Sequence, residues 1–274
     1  MNHAASTPRG DAPEGIELLF LGTGTSAGVP MIGCHCDVCR SDDPRDRRSR
    51  CSVVVSYGGR RILVDTTPEL RLQCVEHGVD RIDAVVYTHA HADHIMGLDD
   101  VRRFNTVKGG PLDVWADEQT LATLRQCFGY AFREPDPAAK LYRPHLDPRV
   151  IDGPFDLFGQ TWTPIPMIHG DVRVLGFRVG NLAYCTDVSD LPHTSRQLLR
   201  GVDVLVLDAL QAKKHPTHFT IDEAVAVVRE IGPRQAWFTH MSHQVRHETT
   251  NALLPPGVRL AHDGLRVRSP AGDE

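Results

Sequence analysis

The stretch DAVVYTHAHADH, residues 83–94, decides how this chain is read. Its first part, Ala84–Tyr87, is an apolar, β-branched run of the buried-strand type. It passes directly into His89, His91, Asp93 and His94. Side chains two apart on an extended chain point the same way, so His89 and His91 can grip one metal ion. The chain then turns, and Asp93 and His94 can grip a second. At this chain's content of His and Asp, the pattern His-x-His-x-Asp-His arises by chance in roughly one such chain in 250. A metal-binding strand end therefore explains the stretch better than a solvated polar loop.

Three further segments have the same form. His169 follows TPIPMI, Asp187 follows LAYCT and His240 follows AWFT, each at the C-terminal end of an expected strand. Strand ends on one rim of a sheet converge, which is what a site requires. Five histidines and two aspartates give two metals three or four ligands each, with one aspartate placed to bridge. Two divalent cations ~3.5–4 Å apart activate water and hold the attacking and leaving oxygens of a displacement.

The rest of the chain supplies a scaffold for such a rim. IELLFLGTGTSAGVP, from Ile16, reads as a strand entering a glycine-rich loop. CSVVVSYGGRRILVD reads as a hairpin through Gly58-Gly59 that ends at Asp65. PELRLQCVEHG and ADEQTLATLRQCFGYAF have helical spacing, whereas the proline-rich REPDPAAKLYRPHLDP reads as irregular surface. LGFRVG, LAYCTD and DVLVLD are short strands, with a turn at Gly180-Asn181 and a helical stretch around Ser195–Leu199. FTIDEAVAVVREIG is a helix with a Thr220/Glu223 capping box, and QAWFTHMSH is read as the final strand. Two β-rich halves, each carrying helices, imply one domain over residues 16–274 with two sheets inside and helices outside. Residues 1–15 read as a disordered polar tail.

Composition removes several function classes. Thirty Lys+Arg against 35 Asp+Glu give a net charge of −5, so a polyanion-binding surface is not the default and nucleic acid is not the expected partner. No apolar run reaches the ~18 residues of a membrane span. MNHAASTPRGDAPEG lacks a signal-peptide pattern, so a cytoplasmic location is expected.

Three of the seven cysteines, Cys34, Cys36 and Cys39, fall within six residues. In a reducing compartment that clustering points to metal rather than cystine. Three thiolates suit tetrahedral zinc lacking one partner. His35 would have to double back, so a remote donor is expected. Cys51, Cys74, Cys127 and Cys185 sit among apolar neighbours and read as buried small hydrophobes. The glycines at 22–28 suit either a phosphate cradle or tight turns. Arg45, Arg47, Arg48 and Arg50, diluted by Asp42, Asp43 and Asp46, read as a solvated loop. Asp65 and Asp208 are placed to orient metal-ligand histidines, or simply to open loops.

These motifs resemble the metallo-β-lactamase superfamily, an α/β fold built as a four-layer αβ/βα sandwich. The resemblance runs from about Glu17 to Asp263. It implies that His89, His91 and His169 bind one metal, that Asp93, His94 and His240 bind the other, and that Asp187 bridges. GTGTSAGVP, CHCDVC, PTHFT and FTHMSHQ are together most similar to the PhnP family of phosphodiesterases. That resemblance implies a cytoplasmic phosphoric diester hydrolase acting on 5-phosphoribosyl 1,2-cyclic phosphate or a related small cyclic phosphate. It also supplies His243 as the fourth ligand of a structural Zn²⁺, and His218 as the acid that protonates the leaving oxygen. The active-site pair is expected to be Mn²⁺ or Zn²⁺, with Asp93 and Asp187 among the catalytic groups, and a homodimer is compatible with the family. DTTPELR departs from the Asp-Ala-Gly common at this point of the fold, so a reshaped pocket is expected. The alternatives are a transfer-RNA 3′ processing endonuclease, a glyoxalase-type thioester hydrolase and a metal-holding interaction protein without catalysis.

Overall fold

Alternating apolar residues in continuous buried runs build the two halves of the molecule. A computed structural model describes residues 15–133 and 142–269. Residues 1–14 of the expected tail lie outside the described residues, as do residues 134–141 of the proline-rich segment.

The first sheet collects β1 (Ile16–Gly22), β2 (Ser52–Tyr57), β3 (Arg60–Val64), β4 (Ala84–Val86), β5 (Leu112–Ala116) and β6 (Leu146–Val150). The second collects β7 (Phe155–Leu157), β8 (Gln160–His169), β9 (Val172–Val179), β10 (Leu182–Cys185), β11 (Val204–Asp208), β12 (Gln235–Thr239) and β13 (Val258–Leu260). A last strand, β14 (Arg266–Ser269), returns to the first sheet beside β1, so the orders are 14-1-2-3-4-5-6 and 13-12-11-10-9-8-7. In each sheet the hairpin strands are antiparallel, and the strands joined through helices are parallel.

Period-two alternation sorts the side chains into layers. Leu18, Phe20, Val53 and Val55 face Tyr184, Val204 and Val206 across the gap between the sheets. The alternate residues Leu19, Leu21 and Val54 pack outward against α1 (Leu70–Glu76), α2 (Ala92–Ile95), α3 (Arg102–Lys108) and α4 (Glu118–Phe128). In the second sheet Ala183, Leu205 and Leu207 pack outward against Leu198 of α5 (His193–Leu198) and Val227 of α6 (Ile221–Ile231). The result is helix, sheet, sheet, helix, with α7 (His247–Leu253) near β13. The capping box of α6 forms as expected, with Thr220 and Glu223 each bonded to the other's backbone N–H.

Two expectations change. The segment LDPRV, taken with the irregular proline-rich stretch, forms β6. It lies at the sheet edge, where Pro148 leaves no central ladder bond unmade. QAWFT is not the last strand, because β13 and β14 follow it.

Candidate metal centre

The candidate ligands sit at the ends of β4, β8, β10 and β12. Asp65, Asp187 and His240 take left-handed conformations, with φ of 64°, 56° and 59°. Such backbone costs about 1–3 kcal/mol per non-glycine residue. Three instances on one rim show that the turns there are held by the fold rather than by local preference.

Two groups of donors result. The ligand atoms of His89, His91 and His169 lie within 4.8 Å of one another, and so do those of Asp93, His94, Asp187 and His240. Asp187 stands between the groups. Its Oδ1 is 3.4 Å from His94 Nε2, while its Oδ2 is 3.3 Å from His240 Nε2 and 3.9 Å from His89 Nε2. The Thr186 hydroxyl donates to Asp187 Oδ1 at 2.7 Å and fixes the carboxylate.

The opposite ring nitrogens of His89, His94 and His169 are held from behind. Asp65 Oδ2 accepts from His94 Nδ1 at 2.8 Å, and the Thr217 carbonyl accepts from His169 Nδ1 at 2.7 Å. Thr88 donates to Asp65 at 2.8 Å and lies 2.9 Å from His89 Nδ1. This is how an imidazole ligand is oriented, with its second nitrogen left bare. The Nε2 atoms of His89, His94 and His240 are indeed buried without a hydrogen-bond partner. Buried imidazole nitrogens and carboxylates aimed at one point fit divalent cations and little else.

Charge in the rim tells the same story. Burial pushes against ionising Asp187, yet His240 and His94 hold its carboxyl well below the usual range. Burial likewise opposes protonation of His94 and His240, but Asp187 overcomes it, holding His94 well above the ordinary imidazole value and His240 at about 9. The carboxylates thus demand positive charge at this place.

His218 is buried beside the rim. Its ring centroid is 4.6 Å from those of both His169 and His240, and its Nδ1 lies 2.6 Å from Asp208 Oδ2. Asp208 therefore orients His218. Its other oxygen is 3.9 Å from His240 Nδ1, beyond hydrogen-bond reach.

The second cluster lies at the end of the segment that follows β12. Cys34 Sγ and Cys36 Sγ are 3.3 and 3.4 Å from His243 Nδ1, and Cys39 completes a group within 4.8 Å. Tetrahedral zinc with three sulfurs and one nitrogen has donor separations of roughly 3.5–3.8 Å. The Cys39 backbone N–H and then His243 lower Cys36 to about 6, while burial raises Cys39 to about 11. His35 is exposed and outside the group.

A family model described as a beta-lactamase superfamily domain matches residues 60–241. The chain belongs to the metallo-β-lactamase superfamily. A crystal structure of a diphosphatase from the PhnP family shares 45% identity with a TM-score of 0.86, over 93% of this chain and 97% of that one. At that level the chain also falls within the PhnP family. An octanoyltransferase of Porphyromonas gingivalis is 37% identical over 91% of this chain but only 51% of its own length. The chain thus spans about half of that curated relative, or less for several others. A ribonuclease Z of Bradyrhizobium is 26% identical over 92% of this chain and 99% of that protein. The superfamily assignment implies a metallo-hydrolase with divalent metals, and the rim donors suit them.

Two sequence expectations are corrected within this metallo-β-lactamase frame. Arg48 is not part of a solvated loop: it is buried, pairs with Asp46 at 3.1 Å and donates to the Ser242 carbonyl at 3.2 Å. Cys127 is exposed, because it falls on the outer face of α4, whereas Cys51, Cys74 and Cys185 are buried. Gly22 and Gly24 serve close backbone approach, since an added Cβ would lie 2.0 Å from the Arg50 carbonyl and 2.7 Å from that of Arg48. Thr88, Thr186 and Thr217 carried no sequence signal: Thr88 acts through Asp65, 23 positions away, Thr217 acts through its backbone carbonyl, and a threonine beside an aspartate, as Thr186 is beside Asp187, is too common to single out. No helix among the described residues is long and apolar enough to cross a membrane.

Proposed function

We propose that the protein is a metal-dependent phosphodiesterase that opens a small cyclic phosphate diester, 5-phosphoribosyl 1,2-cyclic phosphate or a close analogue. His89, His91 and His169 would hold one divalent cation, Asp93, His94 and His240 the other, and Asp187 would reach both. Two such cations, Mn²⁺ or Zn²⁺, activate water at neutral pH and stabilise charge on phosphoryl oxygens. Cys34, Cys36, Cys39 and His243 would hold a separate Zn²⁺ in a closed, structural site.

The observation that carries the reading is the His218–Asp208 pair beside the rim. Ring opening expels a sugar oxygen of high basicity, and such an oxygen needs a proton. Asp208 holds His218 Nδ1, which leaves Nε2 to deliver the proton to the departing oxygen. Asp65, Thr88 and Thr217 keep three rim imidazoles in register, and Thr186 fixes the carboxylate of Asp187. Exposed His91 marks the open side through which a small substrate enters.

His218→Ala tests this on paired substrates. A loss on the order of 10²–10⁴-fold is expected on ribose 1,2-cyclic phosphate or a 2′,3′-cyclic nucleotide. On bis-p-nitrophenyl phosphate, whose leaving group departs unaided, the loss is expected to be much smaller. Equal losses on both would reassign His218 to binding or folding. The PhnP-family relative named as a diphosphatase supports a second reading, a substrate with a P–O–P linkage. A diphosphate diester in the same panel separates the two.

A further inference from the structure

His215 stands at the outer end of a row of three imidazoles. The His240 and His218 rings stack with 19° between their planes, and the His218 and His215 centroids are 5.3 Å apart. Burial falls along the row: His240 and His218 are buried, and His215, at its outer end, is half-buried.

Its partners decide its tautomer. The Thr217 backbone N–H, which can only donate, reaches His215 Nδ1 at 3.4 Å, and the Thr217 hydroxyl lies 3.2 Å from the same nitrogen. Nδ1 is thus an acceptor, and the neutral ring carries its proton on Nε2. That Nε2–H has no hydrogen-bond partner among the described residues. The loop beneath it is firmly placed. The Thr217 carbonyl accepts from His169, and a Cβ added at Gly170 would come within 2.7 Å of Thr217 Cγ2. Exposed Lys213 and Lys214 precede His215 on the same loop.

We propose that His215 is a substrate-binding residue whose Nε2–H donates to an anionic oxygen on the leaving portion of the substrate. The assignment rests on the phosphodiesterase reading, which puts the reacting phosphoryl at the rim and the leaving oxygen at His218. Whatever is attached to that oxygen extends outward along the row and passes His215. A phosphate monoester there receives a charge-assisted hydrogen bond, worth about tenfold to a hundredfold in affinity.

Calorimetric titration of the metal-loaded protein with ribose 5-phosphate and with ribose tests this, with metal content measured for each variant. The wild type is expected to prefer ribose 5-phosphate by at least about tenfold. His215→Ala is expected to lose most of that preference at unchanged metal content, and His215→Gln, which keeps an N–H donor, to recover part of it. Equal affinity in wild type and His215→Ala would overturn the assignment. So would a weakening of both ligands alike, which would make the acceptor a hydroxyl. Loss of metal together with affinity would also overturn it, by showing that His215 acts only through Thr217 and His169. Hydrolysis of bis-p-nitrophenyl phosphate by the wild type is scored separately. Its absence would remove the phosphodiesterase reading, whereas its presence beside unaltered binding in His215→Ala would remove this assignment alone.

Discussion

His218 Nδ1 lies 2.6 Å from Asp208 Oδ2, and the same oxygen accepts the backbone N–H of Val188 at 2.9 Å. One carboxylate at the end of β11 thereby ties the proposed acid to the turn that carries Asp187. Asp208→Asn replaces an anionic acceptor by a neutral one and holds the ring less firmly. Turnover of a cyclic phosphate is expected to fall on the order of 10²-fold, with a smaller fall on bis-p-nitrophenyl phosphate. Steady-state kinetics on the two substrates checks this, and equal falls would place the effect in folding.

The buried pair of Arg48 and Asp46 anchors the segment between the two clusters. Arg48 donates to the Ser242 carbonyl, and Asp46 Oδ1 accepts from the His247 backbone at 2.7 Å. Arg48→Ala leaves a buried carboxylate without its partner, which costs about 3–5 kcal/mol. Denaturant unfolding should report a loss of that order, and a loss under about 1 kcal/mol would show that water or another cation replaces the guanidinium.

Cys36→Ser probes the thiolate cluster. Structural zinc contributes folding free energy directly, and here it would join the loop after β1 to the segment after β12. The variant is expected to contain one zinc fewer per chain and to unfold at a lower temperature. Unchanged zinc stoichiometry would remove Cys36 from the ligand set.

His247 gives a pH signature independent of both metal clusters. Burial, reinforced by the like charges of Arg45 and Arg48, lowers it from 6.5 to about 4. Above pH 6.5 the ring is neutral folded and unfolded, so it contributes no pH dependence. As pH falls from 6.5 towards 4 the unfolded chain takes up the proton first, and stability is lost across that window. The difference in melting temperature, His247→Gln minus wild type, should therefore become more positive as pH falls through it. A flat difference would show that the folded ring titrates normally.

Much of the rim was legible because its donors follow strand ends. THAHADH, and the single donors after TPIPMI, LAYCT and AWFT, carry the alternation and punctuation that predict strand termini, and the fold brings those termini together. His243 was not legible from spacing, since nothing in CHCDVC says which remote residue faces it; the family resemblance supplied it. Arg48 was misread because pairing with Asp46 and contact with Ser242, 194 positions away, are tertiary facts. β6 was missed because proline argues against a strand, a rule that relaxes at a sheet edge. His215 has no sequence signal of its own, and only its place beside His218 distinguishes it.

The central claim is hydrolysis of a cyclic phosphate diester at this rim. Its most direct test is ³¹P NMR of ribose 1,2-cyclic phosphate incubated with metal-loaded protein, with a chelator-treated sample alongside. The cyclic diester resonance is expected to give way to that of a phosphate monoester in the loaded sample, and to persist after chelation. Persistence of the cyclic resonance in the loaded sample, with efficient cleavage of precursor transfer RNA by the same preparation, would contradict it.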